Sequence, residues 1–334
     1  MSFSIEYLDN DILLKNKVEE FVSNWNNSSF FIETKTSGST GKPKIIRLSK
    51  TQMITSAKMT GEYFGLSKNK TSLLCLSIDT IAGKMMIVRA IVHQMKLLVG
   101  SPQSNPLIDM DEKIDFIALV PLQVNKIINE SLSTFKSIES VLIGGASIPQ
   151  NIIETLKKEK LTCYQSFGMT ETVSHIAIRK VGFENEAHYT TLPSVKIESD
   201  EHNELIINAP HLEINNLKTN DLIEVINNNQ FIWKGRKDFV INSGGIKLFP
   251  EEIERKLSSS ILNPFFITSF NDSKLGEKVV LIIESKDGSD ILNEKTFINL
   301  DKYERPKEVF YLKEFIKTES GKINRIKTKA LLSL

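Results

Sequence analysis

Cysteine is scarce. The 334-residue chain has only Cys75 and Cys163, too few for a disulfide framework or a cysteine-based metal site. An excess of either charge is also missing. Lys and Arg total 42 against 41 Asp and Glu, a formal net charge of +1, so nothing electrostatic argues for a nucleic-acid or anionic-membrane partner. The most apolar stretch, Met85 to Val92, is broken by Arg89 and is far too short to span a bilayer. The N-terminal segment is polar and acidic and lacks the basic start and apolar core of a secretion signal, so a cytoplasmic protein is expected. There is no internal repeat, no low-complexity tract and no apparent Ser-His-Asp or Cys-His nucleophile arrangement. What is present is ordinary globular composition: 40% hydrophobic and 25% charged residues. At roughly 150 residues per domain, two domains are expected.

Hydrophobic spacing organises the chain. Leu14, Val18, Phe21, Val22 and Trp25 recur at helical intervals. Strands are expected at Phe30–Glu33 and Ile45–Leu48, the second ending at a capping Ser49 before a helix. From Thr71 to Phe167, short apolar runs (Thr71–Ser77, Lys96–Gly100, Asp115–Val120, Ser140–Ile143, Leu161–Gln165) alternate with helical patterns at Gly83–Gln94, Leu122–Ser131 and Pro149–Glu159. That alternation predicts a mostly parallel sheet covered by helices. After Thr172 come short strands with turn-rich breaks (Ser174–Arg179, Ser194–Glu198, Glu204–Asn208, Leu222–Ile226, Gln230–Lys234), an antiparallel meander or small barrel. A boundary falls near Gly235-Arg236-Lys237-Asp238. Beyond it helices are expected at Pro250–Leu257, Ile291–Leu300 and the C-terminus, with strands at Phe265–Phe270, Lys278–Glu284 and Glu308–Leu312. The fold class is therefore α/β. A large N-terminal domain (1–237) would carry the mostly parallel sheet and the barrel-like part, followed by a small α+β domain (238–334).

Between the first two strands after the opening helix lies Thr36-Ser37-Gly38-Ser39-Thr40-Gly41-Lys42-Pro43-Lys44. Glycines let backbone N–H groups approach a polyphosphate, while hydroxyls and lysines add donors and charge. It is not a Walker loop: Gly38 and Gly41 are too close, Pro43 follows Lys42, and a strand rather than a helix comes next. Taken alone, it also fits a plain surface hairpin.

The loop resembles the signature of adenylate-forming enzymes, the acyl-CoA synthetase and peptide-synthetase adenylation superfamily. Four further segments match in order: Gly144-Gly145-Ala146-Ser147, Phe167-Gly168-Met169-Thr170-Glu171-Thr172, Gly235-Arg236-Lys237-Asp238 with Ser243-Gly244-Gly245, and Thr318-Glu319-Ser320-Gly321-Lys322-Ile323. Within the superfamily, Tyr164 to His175 is similar to the central motif of the o-succinylbenzoate–CoA ligases of menaquinone synthesis. Members usually have a longer segment before the phosphate loop, so one of the usual N-terminal lobes is expected to be reduced or missing here.

The resemblance implies a two-step reaction using ATP, Mg²⁺ and coenzyme A. A carboxylate attacks the α-phosphate to give an acyl-adenylate, and a thiol then displaces AMP. Such chemistry depends on positive charge and oriented donors more than on acid–base residues. By resemblance, Thr36, Ser37, Gly38, Ser39, Thr40, Gly41 and Lys42 hold the β- and γ-phosphates. Gly144, Gly145, Ala146, Ser166, Phe167, Gly168 and Met169 surround the adenine, and Thr170 meets the α-phosphate. Glu171 binds the metal. Asp221 and Arg236 reach the ribose, although the usual Thr-Gly-Asp reads Thr219-Asn220-Asp221 here. Lys322 stabilises the adenylation transition state, Asp238 is the hinge of a mobile C-terminal domain, and Gly244 and Gly245 make room for the pantetheine arm. Lys84, Ser174 and His175 are candidates for the acyl pocket, and Thr80 stands where the family often has histidine. Other readings are a ligase for another aryl or acyl acid, an adenylation enzyme loading a carrier protein, and a non-catalytic nucleotide-binding protein.

Overall fold

The structure, a computed structural model, describes residues 3–35, 44–182, 188–261, 263–286, 292–318 and 322–332. The predicted phosphate-loop residues Thr36, Ser37, Gly38, Ser39, Thr40, Gly41 and Lys42 lie outside the described residues. The chain forms two compact units. The first comprises Met1–Ile148, Ile152–Lys196 and Asn208–Asn216; the second comprises Pro149–Asn151, Ile197–Ile207 and Leu217–Leu334.

The first unit opens with β1 (Ser4–Tyr7) and α1 (Ile12–Asn26). Asp11 caps this helix by accepting the Leu14 N–H at 2.9 Å, and Leu14, Val18, Phe21 and Trp25 form its buried face. Next, β2 (Phe31–Lys35) and β3 (Ile45–Ser49) pair antiparallel, so the predicted phosphate loop does join two strands. Ser49 and Gln52 form a capping box on α2 (Lys50–Phe64), which ends at Gly65 with φ +64°. Then follow β4 (Thr71–Leu74), α3 (Ile81–His93), β5 (Lys96–Val99), β6 (Phe116–Leu119), α4 (Pro121–Glu130), α5 (Leu132–Lys136), β7 (Ser140–Ile143), α6 (Gln150–Lys158), β8 (Cys163–Gly168), β9 (His175–Val181) and β10 (His188–Thr191).

The strands of this unit lie in the order β1-β5-β4-β6-β7-β8-β9-β10. Pairing is parallel from β1 through β8 and antiparallel at β8–β9 and β9–β10. β6 and β7 are buried at every residue, the pattern of parallel strands covered on both faces. The expected parallel sheet is therefore present. It also gains two strands that sequence patterning missed, β1 and β10, both only four residues long. The strand expected at Thr71–Ser77 stops at Leu74, and Ser77 turns back to accept the Thr80 N–H.

The next strands are β11 (Lys196–Ser199), β12 (Glu204–Ala209), β13 (Ile214–Asn227) and β14 (Gln230–Arg236), an open meander in the order β14-β13-β12-β11, most of whose residues belong to the second unit. A tight hairpin of β15 (Ile241–Ser243) and β16 (Ile246–Leu248) precedes α7 (Pro250–Leu257). A second sheet, β16-β15-β18-β17, is built with β17 (Phe265–Asp272) and β18 (Gly276–Glu284), and β19 (Glu308–Leu312) pairs parallel to β18. The last helix is α8 (Arg325–Ala330). Along β18 the side chains alternate between two cores. Val279, Leu281 and Ile283 pack with Ile253 and Leu257 of α7, whereas Val280 and Ile282 pack with Phe266 and Phe315. This two-sided burial explains the unbroken apolar run.

One expectation is corrected. The helix expected at Ile291–Leu300 is only a 3-10 turn, Glu294–Phe297, among the described residues. Asn293 accepts the N–H groups of Lys295 and Thr296, which starts a turn; Leu292, Phe297 and Leu300 drop into the core from that turn. Tertiary burial thus overrides a weak helical period.

Candidate active site

In the first unit, neighbouring strands bring two predicted motifs together. β7 ends at Ile143, Gly144 follows, and Gly145 turns the chain with φ +87°. The parallel neighbour β8 carries Ser166, whose hydroxyl donates to the Ile143 carbonyl at 3.2 Å. Gln165 donates to the Ala146 carbonyl at 3.2 Å and is itself held by Arg179. A β-carbon on Gly144 would lie 2.7 Å from the Ser166 hydroxyl, so the two motifs pack at backbone distance. Phe167 is half-buried and meets Tyr189 edge-on at 5.6 Å between centroids. Thr170 is buried at the start of a 3-10 turn (Thr170–Thr172), and Glu171 points to solvent. No cluster of three or more His, Cys, Asp or Glu exists among the described residues. The Mg²⁺ that the resemblance implies takes one or two carboxylates and draws its other ligands from phosphates and water, so a single exposed Glu171 fits it.

Immediately after that turn the backbone is strained. Val173 adopts φ +66° and ψ −57°, and Ser174 N–H donates to the Thr172 carbonyl at 2.7 Å. This is the rare γ-turn, made by a β-branched residue. Gly168 lies beneath it, where a β-carbon would sit 2.3 Å from the Ser174 carbonyl oxygen and 2.5 Å from His175 Cα. Gly168→Ala is therefore expected to cost about 2–3 kcal/mol, because the neighbouring atoms are backbone and cannot yield. A lowered denaturant midpoint with unchanged slope would show it.

The γ-turn aims Ser174 at Arg89, a residue of α3. Arg89 is only 3% exposed. Its Nη2 donates to Ser174 Oγ at 2.7 Å and its Nε to Thr60 Oγ1 at 3.2 Å, and Nη1 approaches Met86 Sδ at 3.8 Å. It has no carboxylate partner among the described residues, and burial lowers its pKa to about 10. Beside it, His175 Nε2 is buried without a partner, and Nδ1 shares a hydrogen bond with Ser174 Oγ at 3.3 Å. Burial, and secondarily the Arg89 charge, hold His175 neutral well below its usual pKa. Two of the acyl-pocket candidates, Ser174 and His175, thus meet around a buried cation. The third, Lys84, folds back onto the carbonyls of Ile78 (3.0 Å) and Asp79 (3.4 Å), and burial pulls its pKa down.

In the second unit Asp221 is 6% exposed. It accepts Trp233 Nε1–H at 2.8 Å, and its N–H donates to Thr219 Oγ1 at 3.1 Å; burial raises its carboxyl pKa. Asn220, in the place of the usual glycine, donates to Asp238 at 3.1 Å, and Arg236 Nη2 donates to the same carboxylate at 2.7 Å. Lys322 lies within electrostatic reach of Asp221 and Arg236. Burial first, and the Arg236 charge second, lower its pKa, while Asp221 opposes them. Four residues predicted from three motifs (Asp221, Arg236, Asp238 and Lys322) therefore share one neighbourhood. Gly244 and Gly245 form the β15–β16 turn with φ +58° and +83°, and nothing lies within 4 Å of where a Gly245 β-carbon would be.

Sequence reasoning missed Glu251, a half-buried residue whose Oε2 is sealed from solvent. Its carboxyl is pushed up to about 7, chiefly by burial, with Glu254 also raising it and Arg325 opposing. The folded form therefore holds a proton over a range where the unfolded form, near 4.5, has lost it. The stability this contributes is complete at low pH and is lost as pH rises through about 7. Between about pH 5 and about pH 9 this is worth on the order of 2 kcal/mol. Urea midpoints at the two pH values should differ accordingly, and Glu251→Gln should narrow the difference.

Comparison with known proteins places these geometries in context. Residues 26–208 match the family described as AMP-binding enzyme. A 2-succinylbenzoate–CoA ligase of Listeria innocua is 26% identical over 324 residues, covering 88% of this chain and 68% of its own length. The enzyme of that name from Listeria monocytogenes is 26% identical, covering 94% and 72%. A crystal structure of an acyl-CoA synthetase (AMP-forming)/AMP-acid ligase II-like protein from Dyadobacter fermentans is 33% identical. It covers 97% of this chain and 95% of its own, with a TM-score of 0.64. An o-succinylbenzoate coenzyme A synthetase from Bacillus subtilis, in complex with ATP and magnesium, shares the fold with a TM-score of 0.77 at 23% identity, covering 89% and 69%.

Proposed function

Because the chain belongs to the AMP-binding enzyme family, as an AMP-forming acid–CoA ligase, we propose that it activates o-succinylbenzoate with ATP and Mg²⁺ and passes it to coenzyme A. The observation that carries the choice of acid is Arg89. A fully buried guanidinium with no carboxylate partner among the described residues is costly to keep unless something anionic comes to it. An aromatic dicarboxylate supplies that anion with the carboxylate that does not react. Ser174 and the unpaired Nε2 of neutral His175 complete the polar side of the pocket.

In the first step the other carboxylate attacks the α-phosphate of ATP. An O–P bond forms, pyrophosphate leaves with the bond it held, and an acyl-adenylate results. Two anions approach each other here, so the residues needed are donors and cations. Thr36, Ser37, Gly38, Ser39, Thr40, Gly41 and Lys42 hold the leaving phosphates, and Thr170 holds the α-phosphate. Glu171 holds Mg²⁺, which neutralises charge on the triphosphate. Gly144, Gly145, Ala146, Ser166, Phe167, Gly168 and Met169 frame the base, and Asp221 with Arg236 takes the ribose. Lys322 brings its ammonium to the reacting oxygens; its depressed pKa reflects a desolvated charge, which acts more strongly than a hydrated one. In the second step residues 238–334 turn about Asp238, and the thiol of coenzyme A displaces AMP, its arm passing the Gly244-Gly245 turn, where the space at Gly245 is open.

Pyrophosphate release with a panel of carboxylic acids, with and without coenzyme A, tests this reading. Release with o-succinylbenzoate, and thioester only when coenzyme A is present, is the expected outcome. Release only with monocarboxylic acids would remove o-succinylbenzoate. Adenylate formation without transfer to free coenzyme A would favour a carrier protein as acceptor, and no release with any acid would leave nucleotide binding alone.

A further inference from the structure

Four segments distant in sequence meet at Arg325, three residues after Lys322. Arg325 Nη2 donates to Glu254 Oε2 at 2.7 Å, and the guanidinium lies over the rings of Phe239 (4.9 Å to the centroid) and Phe266 (5.8 Å). Glu254 Oε1 accepts the Ile267 N–H at 2.8 Å. Glu251, one turn earlier on α7, accepts the Arg236 N–H and rests against Gly235, where a β-carbon would lie 2.5 Å from its Oε2. Glu251 Oε2, Arg325 Nη1 and Arg236 Nε are all buried without a hydrogen-bond partner among the described residues. A buried ionic cluster contributes little net stability, so its retention calls for another reason.

The turn Lys237–Phe239 is held at each of its residues. Lys237 pairs with the buried Glu204, Asp238 accepts from Asn220 and Arg236, and Phe239 carries the Arg325 guanidinium. Lys322 accepts the Thr318 N–H at 2.8 Å and precedes Ile323, which bridges to Lys317, two residues ahead of α8. A displacement of Arg325 therefore moves both the hinge turn and the lysine.

We propose that Arg325, held by its ion pair with Glu254 and by the ring of Phe239, is a positioning residue that couples the hinge turn at Lys237–Phe239 to Lys322, keeping the lysine beside Asp221 and Arg236 for adenylation. This rests on the reading of Lys322 given above. The contacts of Arg325 with Glu254, Phe239 and Phe266 all lie within residues 238–334 and turn with them, so the arrangement serves the first half-reaction through Lys322 and takes no part in the second.

Two variants test it, Arg325→Met, which keeps length and apolar packing, and Glu254→Gln, which keeps shape and removes the pairing charge. Lys322 is labelled by an amine-reactive ester and quantified by peptide mass spectrometry against Lys327. Labelling should rise about tenfold in each folded variant, since the desolvated ammonium gains solvent. Adenylate formation should fall about 100-fold, the scale of an ångström-sized misplacement, while thioester formation from supplied acyl-adenylate changes less than about threefold. Unchanged labelling, or equal loss of both half-reactions in a variant with native circular dichroism, overturns the proposal. If Arg325→Met does not fold, Glu254→Gln decides by the same readouts. Labelling is read without any substrate. A wild-type protein inactive on every acid would thus refute the proposed function, while the labelling result would still decide the coupling.

Discussion

Lys322→Ala should abolish acyl-adenylate formation while leaving thioester formation from supplied acyl-adenylate nearly intact. The expected loss in the first step is at least about 10²–10³-fold, the scale seen when one preorganised charge-stabilising group is removed. The structure sharpens the reason. Lys322 is desolvated and lies near a cation, Arg236, so its charge is held at a cost that is recovered only when an anion arrives. The same environment predicts that the alkaline limb of the adenylation pH profile falls below the 10.5 of an ordinary lysine. Single-turnover measurement of each half-reaction checks both points, and a mutant that loses the two steps equally would remove Lys322 from its assigned role.

Arg89→Met should lose o-succinylbenzoate and gain stability. The buried cation costs folding free energy, as its depressed pKa of about 10 shows, and methionine fills similar space without charge. A gain on the order of 2 kcal/mol is expected, together with a rise in KM for the dicarboxylate of about 10²-fold or more from the lost charge-assisted pairing. The lowered pKa also has a pH sign. Below about 10 the native state pays to hold the proton, so the stability gain from the mutation is present at neutral pH and shrinks only in strong alkali. Adenylation of a monocarboxylic aryl acid, if the wild type turns one over, should be spared. Thermal unfolding and steady-state kinetics with both acids decide the matter. A destabilised mutant with an unchanged KM would mean that Arg89 is a structural residue only.

These expectations differ in how far they could be read from residues in a row. Lys322 could be singled out because the pattern that marks it is contiguous, Ser320-Gly321 before it and Ile323 after it. The same holds for the turn after β7 and for Phe167 to Thr172. Helix starts were legible at Ser49 and α7 because caps and first-turn prolines act within four residues. The short strands β1 and β10 were not, since four residues carry too little period and gain their place only by pairing with β5 and β9. Arg89 breaks an apolar helix and, with Lys84 and His93, follows the strand at Thr71–Ser77 near the sheet's carboxyl ends, but its partners were not legible. Its hydrogen-bond partners lie 29 and 85 residues away, at Thr60 and Ser174. Val173, a strained valine, has no mark in the sequence at all, because γ-turn geometry is imposed by the packing of Gly168 against Ser174.

From its residues alone this chain declared a helix-covered parallel sheet, a later meander, and the groups suited to nucleotide chemistry, since each depends on periodicity or on a few adjacent side chains. Folding decided which charges are deprived of water. The burial of Arg89 and Lys322, and the meeting of Glu254 with Arg325, come from strands and helices elsewhere in the chain. Desolvation is a property of the surroundings, and for these groups the surroundings come from residues far away along the chain.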